Sequence, residues 1–400
     1  MITPVPPPRP AGDTKTRRTA AAVRGARTPW RTWLAALALA AVGLCLQSAP
    51  RAEPRFAVRE GLQCADCHIN QTGGGMRTAF GRAFSQTNLD TFGLRGIADP
   101  RAGDSVTFGG NLRLANRSLF PAHTEIDGAR RRAGPENSFD MSEGNLYFRA
   151  DLVPSHVAFY IDETMAPEGA SNREAYLLVE GLPGRGWVKA GRFLLPYGLR
   201  FPDDTMFIRQ QTGFTYANQD LGVEVGFAPG PIVASVAVSN GSLGGGDGNL
   251  AKQVTGQVAF VHDWLRLGAS IAWNDTSTAG FDFHSLTFGG HIGARLGRLI
   301  TLAELDWIHS VNASTSWDQW ALYAGADLEV RKGLYLRGAF EAFDPLRSLR
   351  QNERDRFVVG ASWFAVPWLE LRGEYRINRD IPQRVEGNGD EMLLELHTFL

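Results

Sequence analysis

The chain has 400 residues, 44% of them hydrophobic and 10% aromatic, and a formal net charge of −1. Residues 1–52 hold eight Lys/Arg and one Asp, so everything after them is acidic, which excludes nucleic acid as a partner. The most apolar later stretch, 221–239, is broken by Pro229-Gly230-Pro231 and carries Glu224, which excludes an uninterrupted membrane-spanning helix there.

Residues 1–31 are basic and rich in Pro, Arg and Ala, and Trp33 to Leu46 then runs apolar before Gln47-Ser48-Ala49. This order predicts a secretory signal peptide over residues 1–52, with cleavage between Ser48 and Ala52. A retained N-terminal anchor is the alternative, although the apolar run falls short of the about 20 residues a spanning helix needs. Cleavage removes Cys45 and leaves Cys64 and Cys67 as the only cysteines of an exported protein.

Those two belong to Cys64-Ala65-Asp66-Cys67-His68, the attachment pattern of a c-type haem. On one helical turn both thiols reach the two vinyl groups of a porphyrin, and the adjacent imidazole of His68 falls under the iron as axial ligand. A tight disulfide without haem is the competing reading. Half a zinc site is another, but no further Cys or His stands nearby to complete it. Gly73-Gly74-Gly75 comes next. Then Met76 to Phe84 reads as a short helix, with Met76, Phe80 and Phe84 on one face, packed against the porphyrin or into an ordinary core. The segment 53–104 is too short to bury a core of its own and must lean on the rest of the chain.

From residue 105 to 400 short runs alternate between apolar and polar. Leu369, Leu371, Gly373, Tyr375 and Ile377 point one way, and Glu370, Arg372, Glu374 and Arg376 the other. Sixteen such runs start near residues 105, 140, 155, 173, 186, 219, 231, 254, 265, 283, 298, 317, 332, 355, 367 and 389. Short connections alternate with long ones at 118–139, 166–172, 194–218, 240–252, 275–282, 310–316, 344–354 and 378–388. Trp187, Trp264, Trp363 and Trp368 fall at short-turn ends, and Trp273, Trp307, Trp317 and Trp320 at long-loop ends, as two interfacial girdles would. The predicted fold class is all-β: a sixteen-stranded antiparallel transmembrane β-barrel preceded by a short α-helical c-type haem segment. Both chain ends fall on the short-turn side, which is the periplasmic side of a bacterial barrel.

The order of a leader, Phe56-Ala57, Cys64-x-x-Cys67-His68, Phe80-Gly81-Arg82-Ala83-Phe84 and a sixteen-strand barrel resembles the fused monohaem cytochrome–porins of the outer membrane. Outer-membrane iron oxidases are the best-known members. The resemblance covers the mature chain in architecture and is specific at residue level over 55–85. It implies one covalent haem c, an extracellular donor such as Fe(II), and a periplasmic soluble cytochrome or other electron acceptor, with outer-membrane lipid around the barrel. Gly73-Gly74-Gly75 departs from the iron-oxidase branch, which bears on the iron substrate more than on the architecture. A solute porin with a haem-bearing plug or cap is the alternative function. No catalytic acid–base set can be picked out. For the second axial position the candidates are Met76, in the haem segment, and His156, His291 and His397, which strand parity turns into the lumen near the short-turn ends. A five-coordinate or water-ligated iron is the remaining option.

Overall fold

The computed structural model describes residues 53–93, 99–126, 129–167, 169–242, 244–277 and 282–400. The expected signal peptide lies outside them. Among the described residues, sixteen antiparallel strands pair in sequence order, and the last pairs with the first to close a barrel. They are β1 Val106–Leu119, β2 Glu136–Val153, β3 Val157–Ala166, β4 Ser171–Leu182, β5 Gly186–Leu194, β6 Gln219–Phe227, β7 Ile232–Ser239 and β8 Gln253–His262. They continue with β9 Leu265–Asp275, β10 Phe283–Leu296, β11 Leu299–Asn312, β12 Ser316–Arg331, β13 Leu334–Asp344, β14 Arg354–Val366, β15 Leu369–Arg379 and β16 Glu391–Phe399. Closure gives every strand two neighbours, so no open edge is left.

The alternation decides which face points where. Along β15, Leu371, Tyr375 and Ile377 are exposed, while Glu370, Arg372, Glu374 and Arg376 are buried. The same inversion runs round the barrel, with Val223, Val225 and Phe227 of β6 outside and Glu224 inside. An apolar exterior over a charged interior is stable only if the surroundings are hydrocarbon and the inside is wet or ion-paired.

Two of the expected long connections are short. The strands extend further than the alternation implied, leaving only 167–170 and 313–315 between them. The connection after β1 holds a hairpin of its own, Ala122–Ile126 paired with Ala129–Ala133, which the sequence did not suggest. Among the tryptophans, Trp187 leaves the expected girdle. It is 2% exposed and points inward, because its indole N–H finds Glu224 Oε1 at 2.7 Å there.

The N-terminal segment fills the short-turn end of the lumen with three helices: α1 Pro54–Glu60, α2 Cys64–Cys67 and α3 Ala79–Asn88. Pro at the start of α1 and Gly61 after it, at φ 64°, bound that helix. Arg55 reaches Asp327 on β12 at 2.9 Å and Glu370 on β15 at 3.2 Å, and Arg59 reaches Glu329 at 2.7 Å. Phe56 is fully buried, its ring 5.6 Å from those of Tyr335 and Phe364. On the opposite wall Asn70 donates to Glu174 on β4 at 2.7 Å and accepts from Lys189 on β5 at 2.9 Å. The segment therefore leans on the barrel, as its length requires.

The expected helix from Met76 is displaced. Thr78 caps α3 by accepting from Gly81 N at 3.0 Å, and Met76 lies before that cap, in a hairpin that brings Arg77 beside His68. Phe80 is 49% exposed and Phe84 2%, so the three residues do not share one face.

A second insertion enters from the long-loop side. The connection 195–218, with α4 Phe207–Thr212, folds into the lumen rather than away from it. Its start, Pro196-Tyr197-Gly198, is tied down by Tyr197 Oη donating to Asp306 at 2.9 Å and by Leu199 N donating to Glu304 at 2.8 Å. Arg209 pairs with Glu304, and Arg376 with Asp203 at 2.6 Å.

Candidate functional site

The short helix α2 carries both cysteines one turn apart. Asp66 Oδ2 accepts from Gln63 N at 2.8 Å and closes its first turn, while His68 N bonds to Cys64 O at 2.9 Å. Two neighbouring short turns of the barrel hold this helix: Gln63 Nε2 donates to Gly230 O at 2.8 Å, and Arg185 pairs with Asp66 at 2.7 Å. Ile69 N to Met76 O at 2.9 Å closes the hairpin beyond it.

Cys64, Cys67 and His68 line one cavity, partly open to the lumen. Gly73, Gly74, Gly75 and Arg77 complete its plug side. Leu199, Arg200, Pro202 and Tyr216 come from the inward connection, and Asn111, Arg113, Glu143, Tyr147, Arg266 and His397 from the wall.

The glycine triplet is required by both backbone and space. Its φ angles are 96°, 83° and 64°, the left-handed region that side chains rarely adopt. A Cβ on Gly74 would lie 2.9 Å from the Tyr216 ring, and one on Gly75 2.5 Å from Tyr160 Oη. Asn70 holds the hairpin's near side by accepting from Thr72 N at 3.1 Å and Thr72 Oγ1 at 2.9 Å.

Both cysteines are free thiols. Burial, with Asp66 adding to it, pushes the Cys67 thiol up to about 12, so it is protonated at pH 7. Burial and then the Arg77 guanidinium push His68 down to about 4, against the Gly75 and Gly74 carbonyls. The imidazole is therefore neutral, the form that ligates iron. Its Nδ1 is buried without a hydrogen-bond partner. Two thiols one turn apart, a neutral imidazole with an orphaned nitrogen and a cradle without Cβ atoms fit a covalently attached porphyrin. Cys64 and Cys67 would hold it and His68 would ligate its metal.

The proposed second ligands are scattered. His397 alone lines the same cavity, with Nδ1 3.1 Å from Glu370 Oε2 and Nε2 2.6 Å from Asn111 Oδ1, so both its nitrogens are engaged. His291 lies behind Arg266, whose Nε is 3.4 Å from its Nε2 and whose Nη2 is 3.8 Å from Cys64 Sγ. His156 is exposed in the turn before β3, its Nδ1 3.0 Å from Pro154 O, so strand parity does not apply to it. Met76 packs with Ile69, Tyr147 and Tyr160 and does not line the cavity.

A second cavity adjoins the first. The two share Arg113, Glu143, Pro202 and Tyr216, and the second extends to Arg117, Gly169, Ser171 and Asn172 at the long-loop end. One layer of side chains thus separates the haem motif from a vestibule on the far side of the barrel. Asn70, Arg77, Arg200 and Tyr216 have no sequence motif that would have singled them out. Only the closure of the barrel brings them together.

The fold and this interior define a sixteen-stranded barrel of the porin fold with its N-terminal segment inside. Comparison with solved structures agrees on the fold. An anion-selective porin from Comamonas acidovorans superposes with a TM-score of 0.57 at 12% identity, over 74% of this chain and 99% of its own. OmpT of Vibrio cholerae gives 0.54 at 10%, over 75% and 99%, and the outer membrane channel DcaP of Acinetobacter baumannii 0.52 at 11%, over 76% and 100%. No family model matches the chain, and no curated protein matches its sequence.

Proposed function

We propose that this protein transfers electrons across an outer membrane by way of one covalent haem c on Cys64 and Cys67, with His68 axial. A haem bound there supplies a one-electron redox centre. The observation that carries the reading is the cavity shared by the motif, the glycine triplet and the inward connection, one layer of side chains from the long-loop vestibule. Around it the chain's own residues do the remaining work. α1 and α3 fix the motif to the wall, the paired charges of the lumen keep a low-dielectric core, and Tyr216 and Pro202 form the partition. An extracellular donor, Fe(II) among the candidates, enters from the long-loop side. A periplasmic cytochrome or other soluble acceptor docks at the short-turn end, where α2 and α3 lie.

The rival, a solute porin capped by a haem-bearing plug, needs an aqueous path that the N-terminal helices and the inward connection both obstruct. The test is optical. Intact cells carrying the protein receive Fe(II) and, separately, membrane-impermeant reductants. Appearance of the reduced haem band supports electron transfer. An unreduced haem together with free sugar or ion flux returns the porin reading.

A further inference from the structure

Three arginines, Arg77, Arg200 and Arg266, line the motif cavity with no carboxylate within 4.0 Å among the described residues. Arg77 lines it, has no carboxylate within 4.0 Å among the described residues, and has a buried Nε without a partner. Its guanidinium rests 4.1 Å from the centre of the Phe399 ring. Arg200 is 7% exposed and its Nε is likewise partnerless. Its Nη2 donates to Leu195 O at 2.8 Å, its guanidinium lies 5.8 Å from the centre of the Tyr216 ring, and Glu174 and Asp204 act on it from beyond ion-pair distance. Burial depresses the Arg200 guanidinium pKa, outweighing Tyr216, Glu174 and Asp204, which act to raise it. Arg113 differs. It is held between Glu395 at 2.7 Å and Glu143 at 3.0 Å.

Uncompensated buried charge is costly, and a chain that buries it opposite a cavity leaves room for an anion. We propose that Arg77 and Arg200 hold the two propionate carboxylates of the haem. The inference rests on the haem reading above and adds the residues that orient the porphyrin and set its charge. In a porphyrin the thioether-forming edge and the propionate edge are opposite. Arg266, 3.8 Å from Cys64 Sγ, lies on the thioether edge and is not assigned. Guanidinium forks match carboxylates with paired hydrogen bonds. Both are positioning residues, and their charge favours the reduced, less positive haem.

The test uses the full-length holoprotein and the variants Arg77→Gln, Arg200→Gln, Arg77→Lys and Arg200→Lys. A haem stain on a denaturing gel reads covalent attachment, heat-modifiable migration reads the folded barrel, and a spectroscopic redox titration reads the midpoint potential. The expected result is that each Gln variant keeps its haem and its barrel while its potential falls, and that each Lys variant recovers most of the fall. Should the Gln variants not fold, the Lys variants carry the test alone, through a shift of the propionate bending band in the resonance Raman spectrum. Folded, haem-bearing Gln variants with the wild-type potential overturn the assignment, as do Lys variants with an unmoved propionate band. Wild-type protein without covalent haem overturns the underlying reading instead, and is recognised before any variant is made.

Discussion

At the scale of the residue, the two thiols of α2 are the point on which everything else turns. Replacing Cys64 and Cys67 by Ser removes groups that the barrel's closure does not use, since α2 is tied to the wall by Gln63 and Asp66. The expected outcome is total loss of haem stain on a denaturing gel, with heat-modifiable migration retained. Asp204 gives a pH-dependent prediction. Burial pushes its carboxyl up from 3.8 to about 6, although both oxygens accept from Tyr216 N at 2.9 Å. The folded chain therefore binds this proton more tightly than the unfolded one. The group's stabilising contribution is complete below the unfolded value of 3.8 and is lost as pH rises through about 6. Asp204→Asn keeps an acceptor for the amide without the charge. Thermal unfolding in detergent should show the variant more stable than wild type above pH 6, by on the order of 2 kcal/mol, and equal to it below 3.8. A gap that persists at low pH would reject burial of the carboxylate as its cause. At this scale the sequence singled out Cys64, Cys67 and His68, because residues at a fixed short spacing leave a local pattern. Asn70 left none, because its partners Glu174 and Lys189 are distant in sequence, and Arg77 and Arg200 left none, because only the folded barrel brings them to one cavity.

Among the elements, the plug and the inward connection matter most. Arg55 is 2% exposed and joins α1 to Asp327 and Glu370, two carboxylates on different strands. Arg55→Ala leaves both without that cation, although Asp327 keeps Arg337 at 3.2 Å. Breaking a buried pair of this kind costs about 3–5 kcal/mol. The plug should then loosen from the β12–β15 wall while the barrel stays closed. Planar-bilayer recording checks this: the variant should show a larger or noisier conductance than wild type, and an unchanged trace would mean that Arg59 and Phe56 suffice to hold α1. The strands were legible from alternation, since the apolar and charged faces of β6 and β15 are separated by one residue and cannot be confused. The hairpin 122–133 was not, because its Arg130-Arg131-Arg132 run lacks an apolar face and reads as loop. Met76 misled for a related reason. Its i, i+4 spacing to Phe80 is helical, but Thr78 offers a cap that starts α3 after it.

For the whole molecule, a porin fold is filled from both ends of its lumen, and the haem motif lies in the space left between the two fillings. On the proposed function, this filling would bring a redox centre toward both surfaces while holding water and ions back. The most direct test places the purified holoprotein in proteoliposomes with a soluble cytochrome trapped inside and a membrane-impermeant reductant, Fe(II) included, outside. The account predicts that the trapped cytochrome becomes reduced at a rate that depends on the protein, that the Cys64→Ser, Cys67→Ser variant abolishes this, and that a trapped sugar does not escape. A trapped cytochrome that stays oxidised while the sugar leaks out would contradict it.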